Sequence, residues 1–169
     1  MDLQHLRQQM AENGERIRLL VEGVSPKQAQ WRPEEDAWSI LEVINHLYDE
    51  EREDFRVRLD IILHKPNQAW PKIDPQGWVA ERKYNERSLE ESVQRFLRER
   101  RASLEWLGEL ASPDWEAAYE TPFGPIRAGD MFASWAAHDL LHMRQLVELH
   151  RAYLLIRAAP YRADYAGPW

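Results

Sequence analysis

Apolar residues recur at helical spacing in four long stretches of this chain, each closed by proline or glycine, and that pattern narrows the fold to a helical one. In the first stretch, from about residue 2 to 22, Leu3, Leu6, Met10, Ile17, Leu20 and Val24 share a stripe, with Gly23 and Pro26 at its end. The second begins at Ser39, where Ser39 and Glu42 have the spacing of a capping box. Ile40, Val43, Ile44, Leu47, Phe55, Leu59 and Ile62 follow, and the run ends near His64 before Lys65-Pro66. A second capping box, Ser88 and Glu91, opens the third stretch, which carries Leu89, Val93, Phe96, Leu97, Leu104, Leu107 and Leu110 to Ser112-Pro113. The fourth runs from about Arg127 to Ile156, with Asp130 placed to favour its N-terminal dipole. Strand patterning of useful length and internal repeats are both missing. The expected fold is therefore all-α, a four-helix bundle formed by residues 1–169 as one domain. Residues 65–87, rich in Pro and Trp, make a long connection between the second and third helices, with a short helical turn expected from Trp78 to Lys83.

Composition sets limits on function. A net charge of -7 argues against nucleic acid as a partner, because phosphate binding needs a clustered positive surface. No run reaches the roughly 18 apolar residues of a membrane span, and the first residues lack a secretory hydrophobic region, so a cytoplasmic protein without a membrane partner is expected. The chain has no cysteine, which leaves His, Asp, Glu and water to hold any metal.

The histidines carry the chemistry. At 100° per residue, His138 and His142 fall in the middle of the sector that holds Met131, Trp135, Leu146, Leu149, Tyr153 and Ile156. Spaced i, i+4, both imidazoles leave one face a turn apart and can reach one ion. Two histidines in an apolar stripe need partners, and a metal satisfies both acceptors at once. Asp139 and Gln145 flank the pair and point elsewhere, serving at most as supporting groups. His46, on the edge of the second stripe, is the best third ligand. Glu42, His46, Glu50 and Glu53 share a face, so a carboxylate, Glu42 or Glu50, can act as fourth ligand, supporting partner or general base. Three protein ligands with an open position describe a catalytic-type site. Glu50, Glu51, Glu53 and Asp54 otherwise read as a solvated face, and His5, His64 and His150 as surface residues.

Two segments resemble the DinB/YfiT-like superfamily. Trp38-Ser39-Ile40-Leu41-Glu42-Val43-Ile44-Asn45-His46-Leu47 is similar to its W-S-x-x-E-x-x-x-H-L segment, and Ala136-Ala137-His138-Asp139-Leu140-Leu141-His142-Met143-Arg144-Gln145 to its A-x-H-D-x-x-H-x-x-Q segment. The likeness covers nearly the whole chain in order, with one departure: Arg127 stands where a small capping residue is usual. The resemblance implies an antiparallel four-helix bundle, a nickel or zinc site formed by His46, His138 and His142, and a homodimer. It also implies a small-molecule substrate and a metal-dependent transferase that uses a low-molecular-weight thiol such as bacillithiol or mycothiol. A metal-dependent hydrolase and a non-catalytic, stress-associated metal-binding bundle are the alternatives.

Overall fold

The computed structural model describes residues 2–169 and is mostly helical. Helix α1 spans Leu3–Val21 and starts where the Asp2 side chain accepts from His5 N at 2.9 Å. It ends before Gly23, whose φ of 74° lies in the left-handed region. A five-residue helix, α2, covers Pro26–Gln30, with Ser25 as its cap and Pro26 in its first turn. The second long helix is unbroken over residues 40–64 but changes winding within itself. It comprises α3 (Ile40–Asp49), a π-helical turn (Glu50–Phe55) and α4 (Arg56–His64). Helix α5 (Pro75–Glu81) and a 3-10 turn (Tyr84–Glu86) interrupt the connection that follows. Helix α6 (Leu89–Glu109) starts at the expected Ser88 cap, and α7 covers Ala128–Ala158. Asp130 holds the start of α7 by accepting from both the backbone N and the guanidinium of Arg127.

Helix α1 packs on α6 and α7, α3 packs on α6 and α7, and α4 packs on α7, so the four long helices enclose common ground. Its filling comes in three layers. Met10, Phe55, Leu59, Ile62, Leu107, Phe132 and Trp135 form one apolar cluster. Ile17, Ile40, Val43, Ile44, Leu47, Phe96, Leu146 and Leu149 belong to another. Each large side chain removed from water contributes roughly 1.5–3 kcal/mol. Between the two clusters every long helix contributes buried polar residues: Asn13 from α1, Glu51 from the π turn, Arg100 from α6 and Asp139 from α7.

The connection at residues 65–88 is tied to the bundle. Asp74 caps α5 by accepting from Gly77 N at 2.9 Å, an approach so close that a Cβ at Gly77 would lie 2.1 Å from Asp74 Oδ2. Arg82 then pairs with Asp49 at 2.7 Å and with Glu53 at 2.9 Å, its guanidinium 3.9 Å from the Trp78 ring centroid. The Tyr84 hydroxyl donates to Asp49.

Three sequence expectations need correction. Strands do form: Ala118–Thr121 (β1) and Gly124–Arg127 (β2) make an antiparallel hairpin with Tyr119 opposite Ile126. Its two-residue loop and Pro125 hid the pattern, and Gly124 supplies a φ of 110°. The acidic run is not a solvated face, because Glu50, Glu51 and Asp54 are buried. The π turn holds more residues per turn than an α-helix and so turns them inward. His150 is partly buried rather than free at the surface: its Nε2 lies 2.6 Å from the Leu20 carbonyl oxygen and its Nδ1 3.1 Å from Gln28 Nε2. His5 and His64 are exposed, as is Ile156 at the far end of the α7 stripe. Among the described residues, no helix is long and apolar enough to cross a membrane.

Candidate metal centre

The capping box at Ser39 fixes where α3 begins. Ser39 Oγ accepts from Glu42 N at 3.2 Å, and Glu42 Oε2 accepts from Ser39 N at 2.7 Å. Arg32 takes both remaining directions of the Glu42 carboxylate, whose side chain has no exposure. One turn further along α3, His46 is thereby aimed at the middle of α7, where His138 and His142 stand i, i+4 on one face. The Nε2 atoms of His138 and His142 are 3.0 Å apart, and those of His46 and His138 are 3.4 Å apart. Taken together, one ligand atom from each ring lies within 4.8 Å of the others.

The protonation of these rings follows from their surroundings. His142 Nδ1 sits 2.8 Å from Gln145 Oε1, which can only accept, so Nδ1 carries the hydrogen and Nε2 keeps its lone pair. Burial, and then the two neighbouring imidazoles, push His46 down to about 2. Burial and His142 push His138 down to about 3, and burial lowers His142 against the opposing pull of Gln145. All three are neutral near pH 7. Neutral imidazole nitrogens converging on one point suit a divalent transition ion, and the set contains no thiolate. The residues present therefore fit such a metal.

Residues 9–146 match the DinB superfamily. The chain belongs to that superfamily. Among solved structures it is similar to YfiT from Bacillus subtilis, described as a probable metal-dependent hydrolase with an unusual four-helix bundle topology. The two share 16% identity over 88% of this chain and 86% of that one, with a TM-score of 0.78, so they share a fold. A comparison with curated proteins gives no match.

Around the histidines, this DinB-superfamily chain places groups that its spacing alone did not reveal. The Trp38 ring lies 4.8 Å from the His46 ring, and Phe55 lies 5.0 Å from His138. A cleft of about 700 Å³ opens beside His46 and His142, with Trp38, Gln76, Arg144, Gln145 and Glu148 on its walls. Glu50 is buried on the other side of His46, its Oε1 3.9 Å from Nδ1. Burial, with the negative charge of Asp54 beside it, pushes the Glu50 carboxyl up to about 8. Glu53 turns away and meets Arg82.

Behind His138 lies the polar layer. Arg100 donates through Nε and Nη2 to Glu51, at 2.8 and 2.9 Å, and through Nη1 and Nη2 to Asp139, at 2.8 and 2.7 Å. Nη1 also reaches the Met10 carbonyl at 2.8 Å. Trp135 Nε1 donates to Glu51 at 2.9 Å, and Asn13 Nδ2 lies 3.4 Å from Asp139. A buried guanidinium forked between two carboxylates locks α6, α7 and the π turn together immediately behind the histidine that α7 presents. Glu51 was legible in retrospect: it fills the gap of eight between Leu47 and Phe55 on the inward stripe.

Proposed function

We propose that the chain is a metal-dependent enzyme that holds one divalent transition ion, nickel or zinc, with His46, His138 and His142 and acts on a small molecule in the adjoining cleft. The observation that carries this proposal is the convergence of three neutral imidazole nitrogens within 4.8 Å of one another, with His46 and His142 on the wall of that cleft. Bound there, the ion supplies Lewis acidity. The chain's own residues do the rest. Gln145 holds His142 in the tautomer that leaves Nε2 free. Trp38 covers one face of His46 and offers an aromatic wall to a substrate. Arg144, paired loosely with Glu148 at 3.4 Å and largely exposed, offers a cation at the rim to an anionic group.

Hydrolysis is the reaction class we favour. Its support is the superfamily membership together with the shared fold of YfiT, which is described as a probable metal-dependent hydrolase. Transfer to a low-molecular-weight thiol is the second reading, favoured by a cleft large enough for a thiol and an electrophile side by side. Zinc- and nickel-loaded protein assayed on ester, amide and electrophile panels, with and without bacillithiol or mycothiol, separates the two. Metal-dependent turnover in water alone supports hydrolysis. Turnover that requires the thiol supports transfer. Metal-loaded protein inert toward every panel contradicts the enzymatic proposal and leaves a non-catalytic metal-binding bundle.

A further inference from the structure

His46 and Glu50 lie one turn apart where α3 passes into the π turn, and their facing atoms stop short of each other. His46 Nδ1 is buried and makes no hydrogen bond, and Glu50 Oε1 lies 3.9 Å from it, with Asp54, one turn further on, the other carboxyl beside Glu50. Arg52 Nε and Asp54 Oδ1, in the same turn, also lack a hydrogen bond, whereas two groups closer to the other ligands and the core are bonded. His142 Nδ1 meets Gln145 at 2.8 Å, and both oxygens of Glu51 are bonded. Unpaired buried polar atoms are costly and uncommon, and those that persist call for a functional reason.

The π turn is the local cause. Leu47, Glu51, Phe55 and Leu59 follow one another at three successive steps of four residues, and all four are buried. In a regular α-helix those steps drift by about 120°, carrying one end of the row away from the core. A wider turn absorbs the drift. It also buries Glu50, the residue beside Glu51, against the back of His46. Turns of this kind are rare and frequently mark functional sites.

We infer that Glu50 is a positioning residue for the metal centre: its carboxyl accepts from His46 Nδ1, fixes the tautomer that leaves Nε2 free, and holds the ring toward His138 and His142. The inference rests on the metal-binding proposal above. Glu50 then does for the ligand on α3 what Gln145 does for the ligand on α7. A movement of about 1 Å converts the present approach into a hydrogen bond.

The test is the zinc dissociation constant, measured by competition with a chromophoric chelator, for wild type, Glu50→Ala, Glu50→Gln and Glu53→Gln. Thermal melting of each metal-free protein reports on the fold. Glu50→Ala weakens zinc binding roughly 10–100-fold, while its metal-free melting temperature does not fall. Glu50→Gln, whose amide oxygen still accepts, stays within about threefold of wild type. Glu53→Gln, whose side chain faces Arg82 rather than His46, binds as wild type does. A Glu50→Ala protein with wild-type affinity overturns the inference, and so does an equal loss in the Ala and Gln variants. A wild type that binds no zinc removes the metal-centre proposal and this inference with it, and it does so before any variant is compared.

Discussion

Two buried polar clusters adjoin along α7 and the second long helix and are finished in opposite ways. The Arg100 cluster is complete within the chain: one guanidinium meets two carboxylates, a carbonyl takes a further N–H, and Trp135 and Asn13 supply outer donors. The histidine cluster is incomplete. Its Nε2 atoms meet only one another, at 3.0 and 3.4 Å, and His46 Nδ1 faces a carboxyl oxygen it does not reach. A protein that satisfies one such cluster so fully has the means to satisfy the other. The difference marks the first as structure and the second as a place where something from outside completes the bonding.

The largest effect expected from breaking this contrast is at Arg100. Arg100→Ala leaves Glu51 and Asp139 as buried charges without their partner, and denaturant unfolding is expected to show a loss of about 3–5 kcal/mol. His142→Ala has the reverse profile: metal-free stability changes by less than about 1 kcal/mol, and most of the metal affinity goes. If the two variants behave alike, the clusters do not differ in kind.

The next effect is that of the metal itself. An ion that binds only the folded state, present at 100 times its dissociation constant, adds about 2.7 kcal/mol. Chelation is expected to lower the melting temperature of wild type and leave that of His138→Ala where it was. A melting temperature indifferent to complete chelation counts against the site.

Acid is expected to act next. The three histidines are lowered from 6.5, so the folded state binds fewer protons than the unfolded one. Their contribution is full above pH 6.5 and is lost as pH falls toward the folded values. Glu50, raised from 4.5 to about 8, has the opposite sign: its contribution is full below 4.5 and is lost as pH rises through 8. Metal-free protein is expected to melt about 5 °C lower at pH 5 than at pH 6.5, because the three histidines together outweigh the raised carboxyls of Glu50, Asp54 and Asp139. A His138→Ala, His142→Ala double variant flattens that decline, and an unchanged slope sinks the assignment of its cause.

The smallest effect concerns Gln145. Gln145→Ala frees the His142 ring and is expected to weaken metal binding roughly tenfold by calorimetric titration, while Glu148→Ala at the cleft rim does not. Equal affinities in the two variants would remove the orienting role.

Much of the scaffold was readable because the signals are local. The serine caps at Ser39 and Ser88, the proline and glycine stops and the apolar stripes placed each long helix within a few residues of its observed ends. The i, i+4 pair His138 and His142 was readable for the same reason. What escaped was non-local or brief. Glu51 read as part of a solvated face and Arg100 carried no signal, because their partners lie 39 to 90 residues away in sequence. The hairpin has strands of four residues with a proline in one of them, and α2 has only five residues. The π turn left a trace, the three steps of four through Glu51, hidden because a carboxylate filled a place where the stripe asks for an apolar side chain.

The most direct measurement is the metal content of purified protein by mass spectrometry, after incubation with nickel and zinc, beside a His46→Ala, His138→Ala double variant. About one transition ion per chain in wild type and none in the folded variant is the expected result, since three histidines form one site. Wild type without metal, or a variant that keeps it, would contradict the centre described here.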